Sequence, residues 1–281
     1  MILAGIVLYN PSLERLCENL NNIDKQVDQI VMVDNNSNNN KKIKELISKY
    51  KGKILLIENN ENLGIAKALN QILEYASNNN FEWFITLDQD SIVKENLIEK
   101  YNEFINYENL AMISCEYNDM NAEIKKTNFN NKKFIEVERC ITSGTYCNTK
   151  ALKKCNGFDE KMFIDYVDFD MCTKLIENNY KIIKINYVGM LHEVGKAEIR
   201  QILWKKVVLY NHSSLRVYYY VRNGMYYTKK HKKSINILKS YINIIKRVFI
   251  ILSFENNKRE NFKSICKAIK DYRGMKIESI S

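Results

Sequence analysis

The sequence lacks the cysteine and histidine patterns of a disulfide-linked or zinc-binding protein. Its seven cysteines are odd in number and scattered, no C-x-x-C pair occurs, and there are only three histidines. Disulfide frameworks and structural zinc sites need paired or closely spaced ligands. We therefore expect reduced thiols and a cytoplasmic compartment.

Long apolar runs and the common nucleotide-binding glycine motifs are also missing. No uncharged stretch reaches the roughly 18 residues that a membrane span needs. The first residues run into Asn10-Pro11 with no basic segment ahead of them, which predicts a first strand rather than a signal peptide. Neither G-x-G-x-x-G nor G-x-x-x-x-G-K-[ST] occurs. A nucleotide would have to be held in some other way.

Acidic residues are scarce in the last third of the chain. From Lys196 to the end there are 20 Lys and Arg against five Asp and Glu, so the net charge of +10 belongs to this part. Such a surface suits anionic lipid, nucleic acid or a polyanionic substrate, or is a solvated helix face. Because no nucleic-acid reader motif is present, we expect no nucleic-acid partner.

What is present is a regular alternation of apolar strands and amphipathic helices. Strands are predicted at 2–9, 29–34, 53–58 and 83–88, with a helix after each of the first three. This order predicts a parallel sheet covered by helices, with ligands at the carboxyl ends of the strands. The polar residues that follow the strands are Asp34, Asn36, Gly64, Asp88 and Asp90.

The strand at 83–88 ends in the D-x-D sequence Asp88-Gln89-Asp90. Two carboxylates one residue apart on an extended backbone point to the same side and suit a hard divalent cation that is also held by phosphates. The alternative is a polar turn in which Asp90-Ser91 begins the next helix.

A second group of carboxylates, Asp165, Asp168 and Asp170, lies in a region rich in Phe, Ile and Tyr. Asp165 and Asp168 would share one face if they form a helical turn. Crowded carboxylates in apolar surroundings raise the pKa of at least one of them, as a general base requires. We expect Asp168 to do chemistry and Asp170 to cap or solvate the start of a helix at 168–178.

Three single residues have two interpretations each, and one turn has a single interpretation. Asp34 either accepts a hydrogen bond from a base or caps a helix. The small-residue turn Ile141–Thr145 allows a close approach of backbone to a sugar. His192, on a glycine-flanked loop after a strand, is a metal or phosphate ligand or is structural. Arg222 either clamps a diphosphate or stacks on its tyrosine neighbours.

The C-terminal segment carries an apolar helical stripe at 238, 241, 242, 245, 248, 249 and 252, with lysines beside it, and a second basic helix at 260–272. The stripe predicts packing on the main domain, a peripheral contact with an anionic membrane, or both. We place a boundary at residue 225, with 226–281 as a basic helical extension.

Several motifs together resemble the inverting family 2 glycosyltransferases of the GT-A fold, and among them the bacterial rhamnosyltransferases of surface polysaccharides. Any one of these motifs is weak, but they occur in order and at compatible spacing over residues 2–225. They are Val7–Asn10, Val33–Ser37, Asn62–Asn70, Leu87–Ser91, Thr142–Thr145, Gly157–Asp170, His192–Gly195 and Tyr219–Asn223.

The resemblance implies a GT-A fold, which is a Rossmann-like, mainly parallel α/β sheet flanked by helices, over residues 1–225. It also implies Mg²⁺ or Mn²⁺ as cofactor, held by Asp88 and Asp90 with His192 as a further candidate ligand. The implied donor-binding residues are Tyr9, Asn10, Asp34, Asn36, Asn62, Gly64, Lys67, Asp88, Gln89 and Arg222. Ser143, Gly144 and Thr145 are the implied acceptor-binding residues.

The resemblance makes Asp168 the catalytic base. Val167 stands where the family usually has a glutamate, and Asp165 occurs instead, so both aspartates are candidates. The implied reaction is transfer of rhamnose from dTDP-rhamnose to a glycan or lipid-linked acceptor, at the inner membrane face. A UDP-galactofuranose or UDP-hexose donor is one alternative, and a non-catalytic nucleotide-sugar or glycan-binding protein is another.

Overall fold

The structure is a computed structural model that describes residues 1–50, 52–119, 127–192, 198–202 and 205–277. The chain divides into two compact units. The first comprises Met1–Lys161 and Val167–Glu193, and the second comprises Met162–Tyr166 and Val194–Ser281.

The first unit is a mixed sheet with helices between its strands. Its strands are β1 (Ile2–Leu8), β2 (Gln29–Asp34), β3 (Ile54–Glu58), β4 (Trp83–Asp88), β5 (Ile92–Val93), β6 (Leu110–Asp119), β7 (Phe134–Glu136), β8 (Thr145–Asn148) and β9 (Lys181–His192). Its helices are α1 (Leu13–Ile23), α2 (Asn40–Ile47), α3 (Gly64–Asn78), α4 (Leu97–Asn102), α5 (Thr149–Lys154) and α6 (Val167–Glu177).

The sheet has the order β3-β2-β1-β4-β8-β6-β9-β5, and β7 also pairs with β9. Strands β3, β2, β1 and β4 are parallel, as are β6 and β9, whereas β8 runs antiparallel to both β4 and β6. Connections through helices give parallel neighbours, so the carboxyl ends of β1, β2, β3 and β4 lie along one edge. The predicted mainly parallel α/β sheet is confirmed.

The buried residues of β1, β2 and β4 explain why these three strands were predicted closely. They form near-continuous apolar runs, as expected of strands covered on both faces. Helix α3 lies so close to β1 that a Cβ on Gly5 would come within 2.3 Å of Ile72. Glycine at this position lets the helix pack directly on the strand.

The predicted loop around His192 is wrong, because β9 continues through His192. Gly189 looked like a loop residue, but it lies inside the strand, where a Cβ would come within 2.4 Å of Leu97 and 2.9 Å of Cys115. The missing side chain makes room for packing and does not mark a turn.

The second unit is formed mainly by helices. Its elements are β10 (Glu198–Ile202), β11 (Lys205–Leu209), α7 (Ser214–Lys230), α8 (Ile237–Phe254) and α9 (Lys258–Gly274). Strands β10 and β11 form an antiparallel pair. The three helices enclose a small core of Val217, Val221, Ile251, Ile265 and Ala268.

The helical C-terminal part agrees with the predicted helical extension. Residue 225, the predicted boundary, lies inside α7, and the chain passes from one compact unit to the other at other residues. Among the residues that the structure describes, no helix combines the length and the apolar character needed to cross a membrane.

Candidate active site

The D-x-D turn follows β4 directly, at the edge where the parallel strands end. Asp88 is the last residue of β4, and Asp88, Gln89 and Asp90 are all partly exposed. The amide of Asn19, from α1, donates to the carbonyl oxygen of Asp88 at 2.8 Å. Asn19 is fully buried. This hydrogen bond from a buried side chain fixes the position of the turn's backbone.

Two further contacts hold the same turn. Gln89 accepts a hydrogen bond from the backbone N–H of Tyr9 at 2.8 Å, which joins the end of β1 to the turn. The hydroxyl of Ser143 accepts from the N–H of Asp88 at 2.9 Å and lies 2.7 Å from the hydroxyl of Ser91. Contacts with Asn19, Tyr9 and Ser143 thus hold the turn that carries the two carboxylates.

The three predicted acceptor residues are buried and have structural contacts. Ser143 supports the D-x-D turn, and the hydroxyl of Thr145 donates to the carbonyl oxygen of Ile141 at 2.6 Å. Gly144 has a φ of +71°, and a Cβ there would meet the sulfur of Met190 at 2.8 Å. Ser143 also lines a cavity, described below.

The end of β2 is organised around a buried carboxylate. Asp34 accepts from the hydroxyl of Ser37 and, at 2.8 Å, from the amide of Asn40. The N–H of Asn10 donates to the hydroxyl of Ser37 at 2.7 Å, which ties the end of β1 to this turn. Asn36 is exposed on the same turn with a φ of +64°. The contacts of Asp34 hold the turn before α2, whose N-cap residue is Asn39, and they are not a helix cap.

The segment after β3 leads into α3 through the turn Asn62-Leu63-Gly64. Gly64 has a φ of +84°, and its N–H donates to the side chain of Asn62 at 3.0 Å. Lys67, one turn into α3, forms an ion pair with Glu160 at 3.2 Å. Asn70 also donates to Glu160, at 2.9 Å. The predicted donor residues of this segment therefore lie at and just inside the start of a helix.

Ser143, which supports the D-x-D turn, also lines a cavity of about 160 Å³. Its polar lining includes Arg139 and Lys184, and Phe169 closes part of it. The guanidinium of Arg139 lies 4.8 Å from the centre of the Phe169 ring. Phe169 follows Asp168, which lies in the first turn of α6. Sequence analysis missed this cavity, because its lining comes from separate strands.

Asp168 and Asp170 have different environments within α6. Asp168 is partly exposed and accepts a hydrogen bond from the N–H of Phe169 at 2.8 Å. Asp170 is fully buried and lies 3.6 Å from the ammonium group of Lys174, which also donates to the carbonyl oxygen of Gly157. Asp170 therefore forms a buried ion pair and does not cap or solvate the helix start as expected.

Asp165 does not share a helical face with Asp168, because α6 begins only at Val167. Asp165 has a φ of +63°, and its neighbours Phe163 and Tyr166 are also left-handed. Burial raises the pKa of the Asp165 carboxyl, while the guanidinium of Arg216, at 3.3 Å, lowers it in part. The raised pKa agrees with the expectation for one acid of this group.

The left-handed segment is held by Asn223 from α7. Its amide donates to the carbonyl oxygens of Met162, Ile164 at 2.7 Å and Asp165 at 3.1 Å. The guanidinium of Arg222 donates to the side-chain oxygen of Asn223 at 2.8 Å and 3.0 Å. These five residues form what we call the Asn223 clamp.

Arg222 also stacks on aromatic rings of its own helix. Its guanidinium carbon lies 4.7 Å from the centre of the Tyr219 ring and 5.3 Å from that of Tyr218. The Tyr219 ring stacks in turn on Phe163 of the segment, with centres 4.8 Å apart. The observed contacts of Arg222 are those of the stacking interpretation.

His192 lies close to the D-x-D turn along the sheet. Strands β5 and β9 pair antiparallel with Ile92 opposite Leu191, so the same register brings His192 level with Ser91. The His192 side chain and residues 193–195 lie outside the described part of the chain. Within the described part, no group of three His, Cys, Asp or Glu side chains could hold a metal ion.

Comparison with known proteins identifies the family. The model of glycosyl transferase family 2 matches residues 5–163, which is more than half of the chain and includes both the D-x-D turn and the turns after β1, β2 and β3. The chain belongs to glycosyl transferase family 2.

Relatives of this glycosyltransferase extend the match over most of the chain. It is 27% identical to the dTDP-rhamnosyl transferase RfbF of Shigella flexneri over 277 residues, which are 93% of this chain and 92% of that one.

Solved structures establish the GT-A fold. TarS of S. aureus superposes on 96% of the chain with a TM-score of 0.64 at 17% identity, and the chain spans 48% of TarS. The mannosyltransferase PcManGT of Pyrobaculum calidifontis, solved with GDP-Man and Mn²⁺, superposes on 99% of the chain with a TM-score of 0.62 at 15% identity, and 76% of it is covered.

Proposed function

We propose that this family 2 glycosyltransferase transfers rhamnose from dTDP-rhamnose to a hydroxyl of a glycan or lipid-linked acceptor, in the cytoplasm. The observation that carries the donor is the 27% identity with a dTDP-rhamnosyl transferase along 93% of the chain. The D-x-D turn at the strand ends supports nucleotide-sugar chemistry, because ligands of such sheets bind at that edge.

The D-x-D turn fits a divalent cation. Asp88 and Asp90 offer two oxygen ligands on a turn that is anchored by Asn19, Ser143 and Tyr9. Mg²⁺ and Mn²⁺ are typically held by one or two carboxylates together with substrate phosphates and water, so a third protein ligand is not required. A bound ion would neutralise the charge that grows on the departing diphosphate.

Residues of the first unit then have distinct roles. Asn10, Asn36, Asn62 and Gly64, at the turns of the same sheet edge, border the donor together with Lys67 in the first turn of α3. Asp34 orders the turn on which Asn36 lies.

Asp168 takes the proton from the acceptor hydroxyl. The hydroxyl oxygen bonds to the anomeric carbon, the bond from that carbon to the diphosphate oxygen breaks, and the electron pair leaves with the nucleoside diphosphate. Attack opposite the leaving group inverts the configuration, and no covalent enzyme intermediate forms.

The test compares donors by thermal shift and by release of nucleoside diphosphate, with Mn²⁺ or with EDTA. The donors are dTDP-rhamnose, UDP-galactofuranose, UDP-glucose and UDP-GlcNAc. A donor at 100 times its Kd adds about 2.7 kcal/mol to the free energy of unfolding, which a thermal shift detects. We expect the largest stabilisation with dTDP-rhamnose and Mn²⁺.

Three variants separate the roles of the carboxylates. Asp90→Ala abolishes the Mn²⁺-dependent stabilisation, whereas Asp168→Asn keeps it and loses turnover. Glu74→Gln, an exposed acid on α3, is the matched control and changes neither. Turnover by Asp168→Asn together with inactive Asp165→Asn would transfer the role of base to Asp165. A larger thermal shift with a UDP-sugar would make that sugar nucleotide the proposed donor in place of dTDP-rhamnose. The absence of a shift with every donor would refute the proposed function.

A further inference from the structure

Helix α8 has two apolar faces, and only one of them is covered. Ile251 is buried in the core shared with α7 and α9, with Val248 packed against it, and Ile244 is buried next to Gly224 of α7. The opposite face is largely exposed. On it, Leu238, Ile242, Ile245 and Phe249 have exposed fractions of 71%, 39%, 65% and 63%. These four residues are called the outer stripe.

The outer stripe is continuous along the helix. Its members are spaced by four, three and four residues, which places them within an arc of about 60° at 3.6 residues per turn. At 1.5 Å per residue the stripe is about 17 Å long. Lys239 and Lys246 are both exposed and lie roughly 80–100° around the helix from Leu238, so they border one side of the stripe.

The surrounding chain carries charge of one sign only. Residues 229–254 contain six lysines and one arginine and no aspartate or glutamate. Arg247 is paired with Glu255, on the inner side of α8. Lys232 and Lys233, just before α8, are exposed, as are the two lysines that border the stripe. The outer stripe is therefore bordered by lysines without local counter-charges in sequence.

We propose that α8 binds in the plane of an anionic lipid bilayer, with the outer stripe among the acyl chains and the lysines at the headgroups. Apolar side chains beside lysines are the composition of helices that lie in a membrane interface. Each lysine near such a surface is attracted to anionic lipid. Because Ile244 and Ile251 are held by the second unit, only the outer face can enter the lipid, and the helix lies flat.

A second copy of the chain fits this surface less well. A two-fold contact through the outer stripe would bring the same patch of both subunits together. Lys239 and Lys246 of one copy would then face the lysines of the other, and like charges repel. Negatively charged headgroups complement the lysines instead. This inference rests on the proposed function. Binding to the bilayer would bring the enzyme to a lipid-linked acceptor, because such an acceptor lies at the membrane surface.

The experiment is co-sedimentation of the full chain with vesicles of phosphatidylcholine alone or mixed with phosphatidylglycerol, at low and high salt. We expect binding to the anionic vesicles that weakens with salt. Phe249→Glu and the pair Lys239→Glu with Lys246→Glu should each lower the partition coefficient roughly tenfold or more. Ile176→Glu, an exposed apolar residue of α6, is the control and should leave it unchanged.

The outcomes separate the two proposals. Absence of binding to anionic vesicles at low salt, or equal binding to vesicles of phosphatidylcholine alone, would refute the proposed binding of α8 to an anionic bilayer. If the chain self-associates without binding vesicles, and Phe249→Glu abolishes this self-association, the outer stripe is a subunit interface and not a membrane-binding surface. Donor-induced thermal shifts of the same variants are measured without lipid and should equal those of the parent. Vesicle binding without any donor shift would refute the transferase proposal alone.

Discussion

The Asn223 clamp makes a quantitative prediction about stability. Asn223→Ala removes an amide that donates to three backbone carbonyl oxygens and an oxygen that accepts from Arg222. Each buried polar group that loses its partner costs about 1–3 kcal/mol. The amide has two protons, so two such losses give about 2–6 kcal/mol, to which the weakened Arg222 contact adds, and this range reaches the high end for one substitution.

Strain in the segment held by the clamp offsets part of the expected loss. Phe163, Asp165 and Tyr166 all have left-handed φ, which disfavours non-glycine residues by roughly 1–2 kcal/mol each. Without Asn223 the segment is free to relax to ordinary φ values. The predicted local result is faster amide hydrogen exchange at 162–166 and in α7, with exchange in β1 and β4 unchanged.

Two further variants sharpen the test, with calorimetric unfolding and exchange mass spectrometry as the measurements. Asn223→Asp keeps the shape but replaces the donating amide by a carboxylate facing carbonyl oxygens, so we expect a loss at least as large as that of Asn223→Ala. Asn243→Ala, an exposed asparagine of α8, should change the free energy of unfolding by less than about 1 kcal/mol. If Asn223→Asp were as stable as the parent, donation by the amide would not be what holds the segment.

Two predictions concern packing and pH. Gly189→Ala places a Cβ 2.4 Å from Leu97 and should lower the free energy of unfolding by about 1–3 kcal/mol in urea titration, whereas Gly274→Ala, with nothing within 4 Å, should not. Burial and the nearby Arg216 and Arg247 lower the pKa of His212 to about 4 from 6.5. Between these values the unfolded chain binds a proton that the folded chain does not, so stability falls as pH falls. His212→Gln should make thermal stability less dependent on pH in that window, and an unchanged slope would contradict the assigned cause.

Local sequence patterns predicted the strands better than the contacts between distant segments. Strands β2 and β4 agree with their predicted bounds because buried apolar runs of this length have few alternatives. Asn19 supports Asp88 across 69 residues, and Asn223 reaches the left-handed segment across about 60. Asn19 left one trace in the sequence, as a polar residue within the apolar stripe of α1, but its partner could not be identified.

The C-terminal stripe shows the opposite case. Its helical period was correctly predicted, but periodicity does not tell whether an apolar face is covered. Ile244 and Ile251, which were not in the predicted stripe, form the packed face, and Leu238, Ile245 and Phe249 are exposed. Which face packs depends on α7 and α9, which the local pattern does not contain.

The antiparallel strand β8 has a consequence for how the protein can vary. Because β8 runs against β4, its first residues meet the last residues of β4, with Thr145 opposite Thr86. The hydrogen-bond register of two adjacent strands, and not the length of chain between them, brings Ser143 to the N–H of Asp88. Insertions or deletions between α4 and β8 that preserve this register leave the D-x-D turn in place. The segment between α4 and β8 can therefore change in sequence and length while the structure of the D-x-D turn is kept.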